Sequence, residues 1–367
     1  RAVKAAEILA NGMSAGLCSP SQQWFALQTE DPDLMEFQPV KEWLDLCEQA
    51  INDLLARCGF YPSATAGFLE LGVFGTECCF MTPHWEQGAA CFPEVWGSYW
   101  LGQNDANRVD SVVRKCDMTV AQLYAKFPEG NFSLQTKEKY RQSQYDAVIQ
   151  VRHLVEPNRE REYGRMDGPN KPYRSVYWEP ESDKATGPIS VGGFDERPFW
   201  APRWDTAGGD LYGRSPGMLA YPGARKLQLQ EFRKQQAMDY IVKPPILVPT
   251  TIQGGRPTLN PGTTIATAPT DMTGVGPIWS VPYQAVDVFS QDIIRTEGEV
   301  DSMFYVPVFQ AFTNMDGGAY KNIELVARKH EEQLTQLGPV VDRAVNEKLE
   351  PAVEQASGED LAVAEPK

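Results

Sequence analysis

Residues 205–245 read DTAGGDLYGRSPGMLAYPGARKLQLQEFRKQQAMDYIVKPP. The first part, through Gly217, is rich in glycine and predicts a loop. Residues 218–243 are rich in Leu, Gln, Lys, Arg and Met, which favour helix over other structures. The paired Pro244-Pro245 cannot continue that helix. This stretch therefore predicts a glycine-rich loop followed by a long helix that ends before Pro244-Pro245.

The sequence after this helix predicts two further helices separated by β-structure and a loop. Residues 244–282 are dense in Pro, Gly and Thr, which predicts short strands joined by turns at Gly254-Gly255 and Pro261-Gly262. Apolar spacing predicts a second helix over about 284–306, a loop over 307–319 and a longer helix over 320–356. Pro339 and Pro351 should kink or break the last of these helices.

The sequence before residue 205 predicts helices followed by a β-rich region. Residues 1–10 favour a helix that stops at Asn11-Gly12, and residues 39–58 carry apolar side chains at helical spacing. Residues 65–83 read as a helix that leads into a buried strand. The next hundred residues alternate aromatic-rich strands with turns, interrupted by a short helix at 119–127 with Thr119 as its N-cap.

The composition is that of a folded chain with an acidic surface. The 367 residues are 42% hydrophobic and 23% charged, with a net charge of −15, and no run approaches the length of a membrane span. No secretory signal opens the chain, and Arg1 in place of Met favours missing N-terminal residues. Seven cysteines without C-x-x-C spacing indicate reduced thiols rather than a disulfide framework or zinc site.

One short motif suggests an enzyme. Gly12-Met13-Ser14-Ala15-Gly16 fits the G-x-S-x-G of a serine hydrolase, but the preceding residues favour helix rather than strand. His84, His153 and His330 are the candidate bases, and none has a recognisable acid–base setting. There is no phosphate-binding G-x-x-x-x-G-K-[ST] and no paired metal-ligand spacing. The sequence therefore predicts no catalytic residue, cofactor or metal.

Six segments, in order along the chain, resemble the portal protein, or head-to-tail connector, of short-tailed bacteriophages. The most specific is RPFWAPRWDTAGGDLYGRSPG at 197–217, which leads into the long helix. The others are SPSQQWFAL (19–27), GFLELGVFGTECCF (67–80), KPPILVP (243–249), LNPGTTI (259–265) and EEQLTQLGPVVDRAVNEKLEPAV (331–353). In this alignment the Ser14 motif becomes a small-residue turn that leads into the first of these segments.

The resemblance implies an α+β portal fold that forms a ring. Its parts would be a mixed wing, two stem helices around a β-containing clip, a channel loop, a long wing helix and a short tail in place of a crown. In this sequence they would occupy residues 1–217 (wing), 218–243 (first stem helix), 244–282 (clip), 283–306 (second stem helix), 307–319 (channel loop), 320–357 (wing helix) and 358–367 (tail).

The resemblance also implies a function and a set of partners. Twelve subunits would enclose a channel for double-stranded DNA, used for packaging into the capsid and for ejection. The ring would sit at the portal vertex of the virion after assembly in the host cytoplasm. It would meet the major capsid protein and scaffold, the large terminase and the tail adaptor or nozzle proteins, with no membrane. The alternative is a β-rich virion or surface protein that binds carbohydrate, because Trp and Tyr stack on sugars.

Charge distinguishes the two expected stem helices. The first carries more Arg and Lys than acid, and the second carries Asp287, Asp292, Glu297, Glu299 and Asp301 against Arg295. We expect Asp287, Asp292 and Glu299 to face the channel, where like charge keeps DNA mobile. The alternative is that both helices present ordinary solvated faces.

Two loops supply the other candidate residues. Asn314, Asp316, Gly317 and Gly318 favour turns and mobile backbone, so they are expected to line the channel as its loop, or else to form an ordinary helix connection. Arg256, Thr258 and Asn260 in the clip are candidates for docking a partner, although Arg256 alone reads as a turn cation.

Overall fold

The computed structural model of the protein describes most of the chain. Outside the described residues lie 30, 32, 33, 35, 85, 166, 181–186, 250–261, 263, 268–275, 278–281, 311–336 and 364–367. The fold is α+β, as the sequence predicts. The chain divides into a small unit, Arg1–Ala5 with Leu219–Pro307, and a large unit, Ala6–Met218 with Val308–Lys367.

The chain begins with three helices: α1 (Ala2–Leu17), whose first four residues belong to the small unit, followed in the large unit by α2 (Gln38–Arg57) and α3 (Phe60–Phe74). The α2 prediction is confirmed within one residue at each end. The expected stop at Asn11-Gly12 is wrong, because α1 continues to Leu17. A β-carbon at Gly12 would overlap the ring of Phe309, so this glycine permits close packing rather than ending the helix.

Two antiparallel sheets follow these helices. Strand β1 (Cys78–His84) pairs with β2 (Gly88–Glu94) and with β8 (Phe199–Trp200). Strands β3 (Tyr99–Gln103), β4 (Val109–Thr119), β5 (Val148–Pro157), β6 (Tyr173–Trp178) and β7 (Ser190–Phe194) form a five-stranded meander in chain order. Alternate residues of β5 are buried, including Val151 and Val155. The predictions of strand after the α3 helix and of a β-rich middle are both confirmed.

Two short helices, α4 (Val120–Lys126) and α5 (Leu134–Arg141), lie between β4 and β5. Thr119 is the predicted N-cap: its Oγ1 accepts from the Gln122 backbone N–H at 3.2 Å. The Gln122 side chain in turn accepts from the Thr119 backbone N–H at 2.9 Å. This reciprocal pair is a complete capping box.

The small unit contains two long helices that flank three short strands. They are α6 (Pro216–Val242), whose first three residues belong to the large unit, and α7 (Tyr283–Met303). Strand β9 (Ile246–Pro249) pairs in parallel with β10 (Thr264–Thr267) and antiparallel with β11 (Gly276–Pro277). Both predicted helices and the strands between them are therefore present. The expected turn at Gly254-Gly255 lies outside the described residues.

The C-terminal part of the chain departs from the sequence prediction in two places. The loop expected from residue 307 is wrong at its start, because Val306–Gln310 forms a short helix, α8, whose Val306 and Val308 are buried. Residues 337–344 are helical, a π-helical turn spans Val345–Leu349, and α9 covers Glu350–Val363. The helix thus widens to a π-helical turn before Pro351 instead of breaking. In this turn the Glu350 N–H donates to the Val345 carbonyl, five residues back.

We expect the substitution Thr119→Ala to lower the free energy of unfolding by about 1 kcal/mol, because it removes the side-chain oxygen that accepts from the Gln122 backbone N–H. Urea unfolding followed by circular dichroism measures this change. Thr119→Ser keeps a capping hydroxyl at the same position and serves as the control. A loss no larger than that of the control contradicts the capping role.

Candidate functional site

The two long helices of the small unit pack against each other through small and apolar side chains. Leu227 of α6 and Ile293, Thr296 and Val300 of α7 are buried. A β-carbon at Gly223 would stand 3.2 Å from Val300 Cγ2, so α6 and α7 approach closely there. Further along, the Gln230 amide donates to the Asp292 carboxylate. These contacts run in opposite directions along the two helices, so the pair is antiparallel.

Acidic side chains of α7 are partly compensated by cations of the same unit. Asp292 Oδ1 lies 2.7 Å from Arg295 Nη2 and 4.0 Å from Lys226 Nζ. Arg295 Nε also lies 3.8 Å from the Glu299 carboxylate. The Arg1 guanidinium donates to both oxygens of Asp301, with its Nε at 3.0 and 3.1 Å. Such exposed pairs contribute little stability, about 0–1 kcal/mol each, but they reduce the field of the acidic helix.

The three acidic residues proposed to face a channel do not share one side of α7. At about 100° per residue, Asp292 and Glu299 lie within about 20° of each other around the helix axis. Asp287 lies about 120° from Glu299 and about 140° from Asp292. Asp287 and Glu299 are exposed and Asp292 is half-exposed. The helix therefore offers one face with Asp292 and Glu299 and a separate one with Asp287.

The remaining candidate residues lie outside the described parts of the chain. This holds for Asn314, Asp316, Gly317 and Gly318 in the expected channel loop. It holds equally for Arg256, Thr258 and Asn260 in the expected clip. The predictions for both groups stay predictions.

Helix α6 exposes large apolar side chains that sequence reasoning did not single out. Tyr221, Leu229 and Phe232 are 60%, 48% and 59% exposed and lie on the side of α6 away from Leu227. The Arg225 guanidinium lies 5.9 Å from the Tyr221 ring centroid on the same side. An exposed apolar stripe flanked by charge is typical of a protein–protein contact surface.

A buried ion pair lies in the large unit where the C-terminal helix meets α3 and β1. Lys348 is 0% exposed and its Nζ donates to the Glu77 carboxylate at 2.7 and 2.8 Å. The same ammonium donates to the Ala64 carbonyl at 3.2 Å and lies 3.9 Å from the Phe68 ring centroid. A β-carbon at Gly67 would overlap the Glu77 carboxylate. The pair thus has a complete set of partners.

A second ion pair of opposite orientation adjoins the first. Glu347 accepts from Arg203 Nη2 and Nε at 2.6 and 3.3 Å, and from the Arg203 backbone N–H at 2.9 Å. Arg203 forms a β-bridge with Thr76, the neighbour of Glu77. We call Glu77, Lys348, Arg203 and Glu347 the clamp. Sequence reasoning missed it; its only signal was an adjacent Glu-Lys pair shortly before Pro351 in the C-terminal helix.

The Ser14 motif lacks the geometry of a hydrolase nucleophile. Ser14 lies within α1, not on a turn between a strand and a helix, and its hydroxyl is 2.9 Å from that of Thr65. His153 is buried, with Nδ1 accepting from Arg114 Nε at 3.0 Å and Nε2 2.9 Å from Ser175 Oγ. Burial, followed by the nearby Arg114, holds the pKa of His153 well below its ordinary value. His153 is a neutral core residue, and His330 lies outside the described residues.

The aromatic residues of the β-rich region are largely packed against one another. Phe80 and Phe199 are buried with ring centroids 5.6 Å apart, and Trp200 lies 6.1 Å from Phe60. Trp96 stacks on Phe74 at 5.5 Å. These six rings pack against one another and are not available as a platform for sugars, whereas Phe92, Trp100 and Tyr163 are exposed.

The described residues contain neither a candidate membrane span nor a candidate metal site. None of the helices there is both long and apolar enough to cross a membrane. In the same parts of the chain, no group of three or more His, Cys, Asp or Glu side chains is arranged to hold a metal ion.

Comparison with known proteins places the chain in a family. The family model for bacteriophage head to tail connecting proteins matches residues 1–359. The chain belongs to this family. It is 35% identical over 355 residues to the portal protein of Salmonella phage epsilon15 and 30% identical over 352 residues to the probable portal protein of Bordetella phage BPP-1. Each match covers 96% of this chain and 63% of the relative, so the chain spans less than two thirds of their length. The predicted resemblance to head-to-tail connectors of short-tailed phages is confirmed.

We expect Lys348→Met to lower the free energy of unfolding by about 3–5 kcal/mol, because it leaves the Glu77 carboxylate buried without its cation. Replacing both partners, as Glu77→Leu with Lys348→Met, should recover most of this loss. Denaturant unfolding measures both values, and the exposed Lys41→Met is the matched control. A double variant as unstable as the single one would show that the pair itself stabilises the fold.

The same variant should respond to pH. Burial raises the pKa of Glu77 above its ordinary value, and attraction to Lys348 opposes that rise. Without the lysine, the folded state binds a proton that the unfolded state has lost, so the variant regains stability as pH falls below the raised pKa of Glu77 toward the ordinary pKa of the unfolded state. The stability difference between parent and Lys348→Met should therefore shrink as pH is lowered from neutral toward the ordinary pKa of glutamate. A difference that stays constant contradicts this origin of the loss.

Proposed function

We propose that the chain is the subunit of a closed ring at the portal vertex of a virion, with a central channel for double-stranded DNA. Membership of the head-to-tail connecting family over residues 1–359 is the observation that carries this proposal. Helices α6 and α7 form an antiparallel pair on either side of a proline-rich segment. This pair supports the proposal, because copies of such a pair placed side by side around an axis enclose a lumen. The channel serves packaging and ejection of the genome, and the chain itself supplies no catalysis.

The surface of the small unit supports a head-to-tail contact between neighbouring subunits. The α6 stripe of Tyr221, Leu229 and Phe232 is apolar and bordered by Arg225. Helix α7 is acidic and exposes Ile294 on the face that carries Asp287, away from Asp292 and Glu299. Packing α6 of one copy on α7 of the next buries apolar surface and pairs opposite charge, and a heterologous contact of this kind generates rings. Twelve copies complete the proposed ring.

The proposed channel wall is the face of α7 that carries Asp292 and Glu299. Carboxylates on that face repel phosphates at close range, and salt limits this repulsion to about 10 Å at 0.1 M. DNA then slides without being held by counterion release. Asp287 lies on another face and contributes less. The loop residues Asn314, Asp316, Gly317 and Gly318 complete the proposed lining.

The proposed partners follow the parts of the ring. The clip, with Arg256, Thr258 and Asn260, docks the large terminase during packaging and the tail adaptor or nozzle proteins afterwards. The wing of the ring, residues 1–217 with the clamped C-terminal helix, meets the major capsid protein and scaffold during assembly in the host cytoplasm. No cofactor is required for these roles.

Native mass spectrometry and negative-stain imaging of the purified chain test ring formation. We expect a closed species near twelve times 41.0 kDa with a central lumen. Phe232→Glu should shift it to monomers, because the substitution places a charge in the proposed contact. Tyr163→Glu, at a position 86% exposed in the large unit, is the matched control and should leave the ring intact. A solid particle, or a Phe232→Glu ring indistinguishable from the parent, contradicts the proposal.

DNA binding by the ring tests the channel wall. Glu299→Lys should strengthen binding of double-stranded DNA about tenfold at low salt, because a cation replaces an anion on the proposed wall, and the gain should vanish at high salt. Asp287→Lys makes the same charge change on the other face and should do less. Electrophoretic mobility shift or fluorescence anisotropy at two salt concentrations measures both. A larger effect at Asp287 would assign the wall to the other face of α7.

A further inference from the structure

Two cysteines of the large unit face each other across the junction of α2 and β2. Cys58 immediately follows α2 and is buried, and Cys91 lies within β2 and is partly exposed. Their Sγ atoms are 3.7 Å apart. The two residues are 33 positions apart in the sequence, so only the fold brings them together.

The backbone at this junction is already arranged for a covalent link. The Cys91 N–H donates to the Cys58 carbonyl at 3.1 Å, which holds the two main chains at hydrogen-bonding distance. Strand β2 is itself fixed by its register with β1, in which Cys91 lies opposite Met81. A disulfide requires the sulfurs to approach by only about 1.7 Å from their present separation.

We propose that Cys58 and Cys91 form a disulfide when the folded chain meets a small-molecule disulfide, and are free thiols under reducing conditions. Cytoplasmic thiols are kept reduced, whereas particles released from a cell meet an oxidising medium. The link would tie the end of α2 to the β1–β2 sheet after assembly. The thiol chemistry is independent of the proposed ring; only its timing in the life of a particle rests on that proposal.

The reaction is a balanced thiol–disulfide exchange with a small disulfide such as oxidised glutathione. The Cys91 thiol loses its proton to water, and its thiolate attacks one sulfur of the small disulfide, releasing one glutathione thiolate. The Cys58 thiolate, formed in the same way, then attacks Cys91 Sγ and releases the second glutathione. Two protein thiols are oxidised to one disulfide, and one small disulfide is reduced to two thiols.

The surroundings predict a slow reaction with a defined order. The hydrogen bond with Cys91, followed by burial, raises the pKa of Cys58. For Cys91, the hydrogen bond with Cys58 acts in the opposite direction, but the neighbouring Cys79 and burial outweigh it and raise the pKa. Few molecules therefore carry a thiolate at neutral pH. Cys91 reacts first because it is partly exposed, whereas Cys58 is 3% exposed.

Cys79 is the competing partner and Cys47 is the control. Cys79 neighbours Cys91 on the adjacent strand but is fully buried, and its thiol lies 3.7 Å from the Phe80 carbonyl. Cys47 lies on α2 with intermediate exposure and is not paired with another thiol among the described residues. A substitution there leaves the Cys58–Cys91 contact intact.

The test incubates the folded chain with oxidised glutathione and maps its peptides without reduction. We expect the mass of the chain to fall by about 2 Da and a cross-linked peptide pair joining Cys58 to Cys91. The thermal midpoint should rise by about 5 °C or more, because the link closes a long loop in the unfolded state. Dithiothreitol should reverse both changes. Cys47→Ser should behave like the parent, and Cys91→Ser should lose the cross-link.

Three results would overturn the proposal. They are a cross-link between Cys79 and Cys91, a stable mixed disulfide with glutathione at Cys91, and unchanged thiols in the folded chain when the same chain in denaturant is oxidised. Peptide mapping of the parent decides among these without any variant, so misfolding of Cys91→Ser does not affect the conclusion. A parent that forms the cross-link but no ring would overturn the proposed function alone.

Discussion

The fold of the large unit depends on a buried ion pair, in which the carboxylate of Glu77 is compensated by the ammonium of Lys348. Glu77 and Lys348 are 271 residues apart in the sequence and both are almost fully buried. Removing either charge from water costs several kcal/mol, and this cost is offset only when the ammonium meets the carboxylate with its remaining hydrogen bonds in place. A shift of the C-terminal helix by one residue would leave both ions unpaired. We therefore expect the pair to specify register more than it adds stability.

This requirement accounts for other features around the clamp. Gly67 lacks a side chain because the Glu77 carboxylate occupies that space. The π-helical turn at Val345–Leu349 contains both clamp residues of the C-terminal helix. Pro351 has no N–H for the Glu347 carbonyl, so the helix must change its hydrogen bonding there in any case. Because Glu347 and Lys348 are adjacent and pair with Arg203 and Glu77, the turn is fastened on two sides.

Local signals in the sequence were sufficient for most helices and strands. Thr119 predicted its helix because a cap acts on residues three positions away, and Pro244-Pro245 predicted the end of α6 because proline acts on its own backbone.

Distant contacts were not predictable in this way. Gly12 reads as a helix terminator until Phe309 is seen against it, and Val306 begins a helix where the local sequence suggested a loop. The clamp joins parts of the chain that no periodicity connects. In the candidate site, helices α6 and α7 were predicted from their sequence. The angular separation of Asp287 from Asp292 and Glu299 around α7 followed from counting residues once that helix was confirmed.

The charge arrangement on α7 bears on how an acidic protein can handle DNA. A net charge of −15 suggests strong repulsion, but Asp292 lies between Arg295 and Lys226, and Arg295 also approaches Glu299. Cations this close cancel much of the field of each carboxylate beyond a few ångströms, and salt screens what is left. A wall built this way repels phosphate on close approach and exerts little force at the centre of a lumen. Strong attraction would hold DNA, and strong uniform repulsion would oppose its entry. Partial internal pairing of the acidic residues gives a surface between these two limits, which is the property that the proposed DNA channel would require.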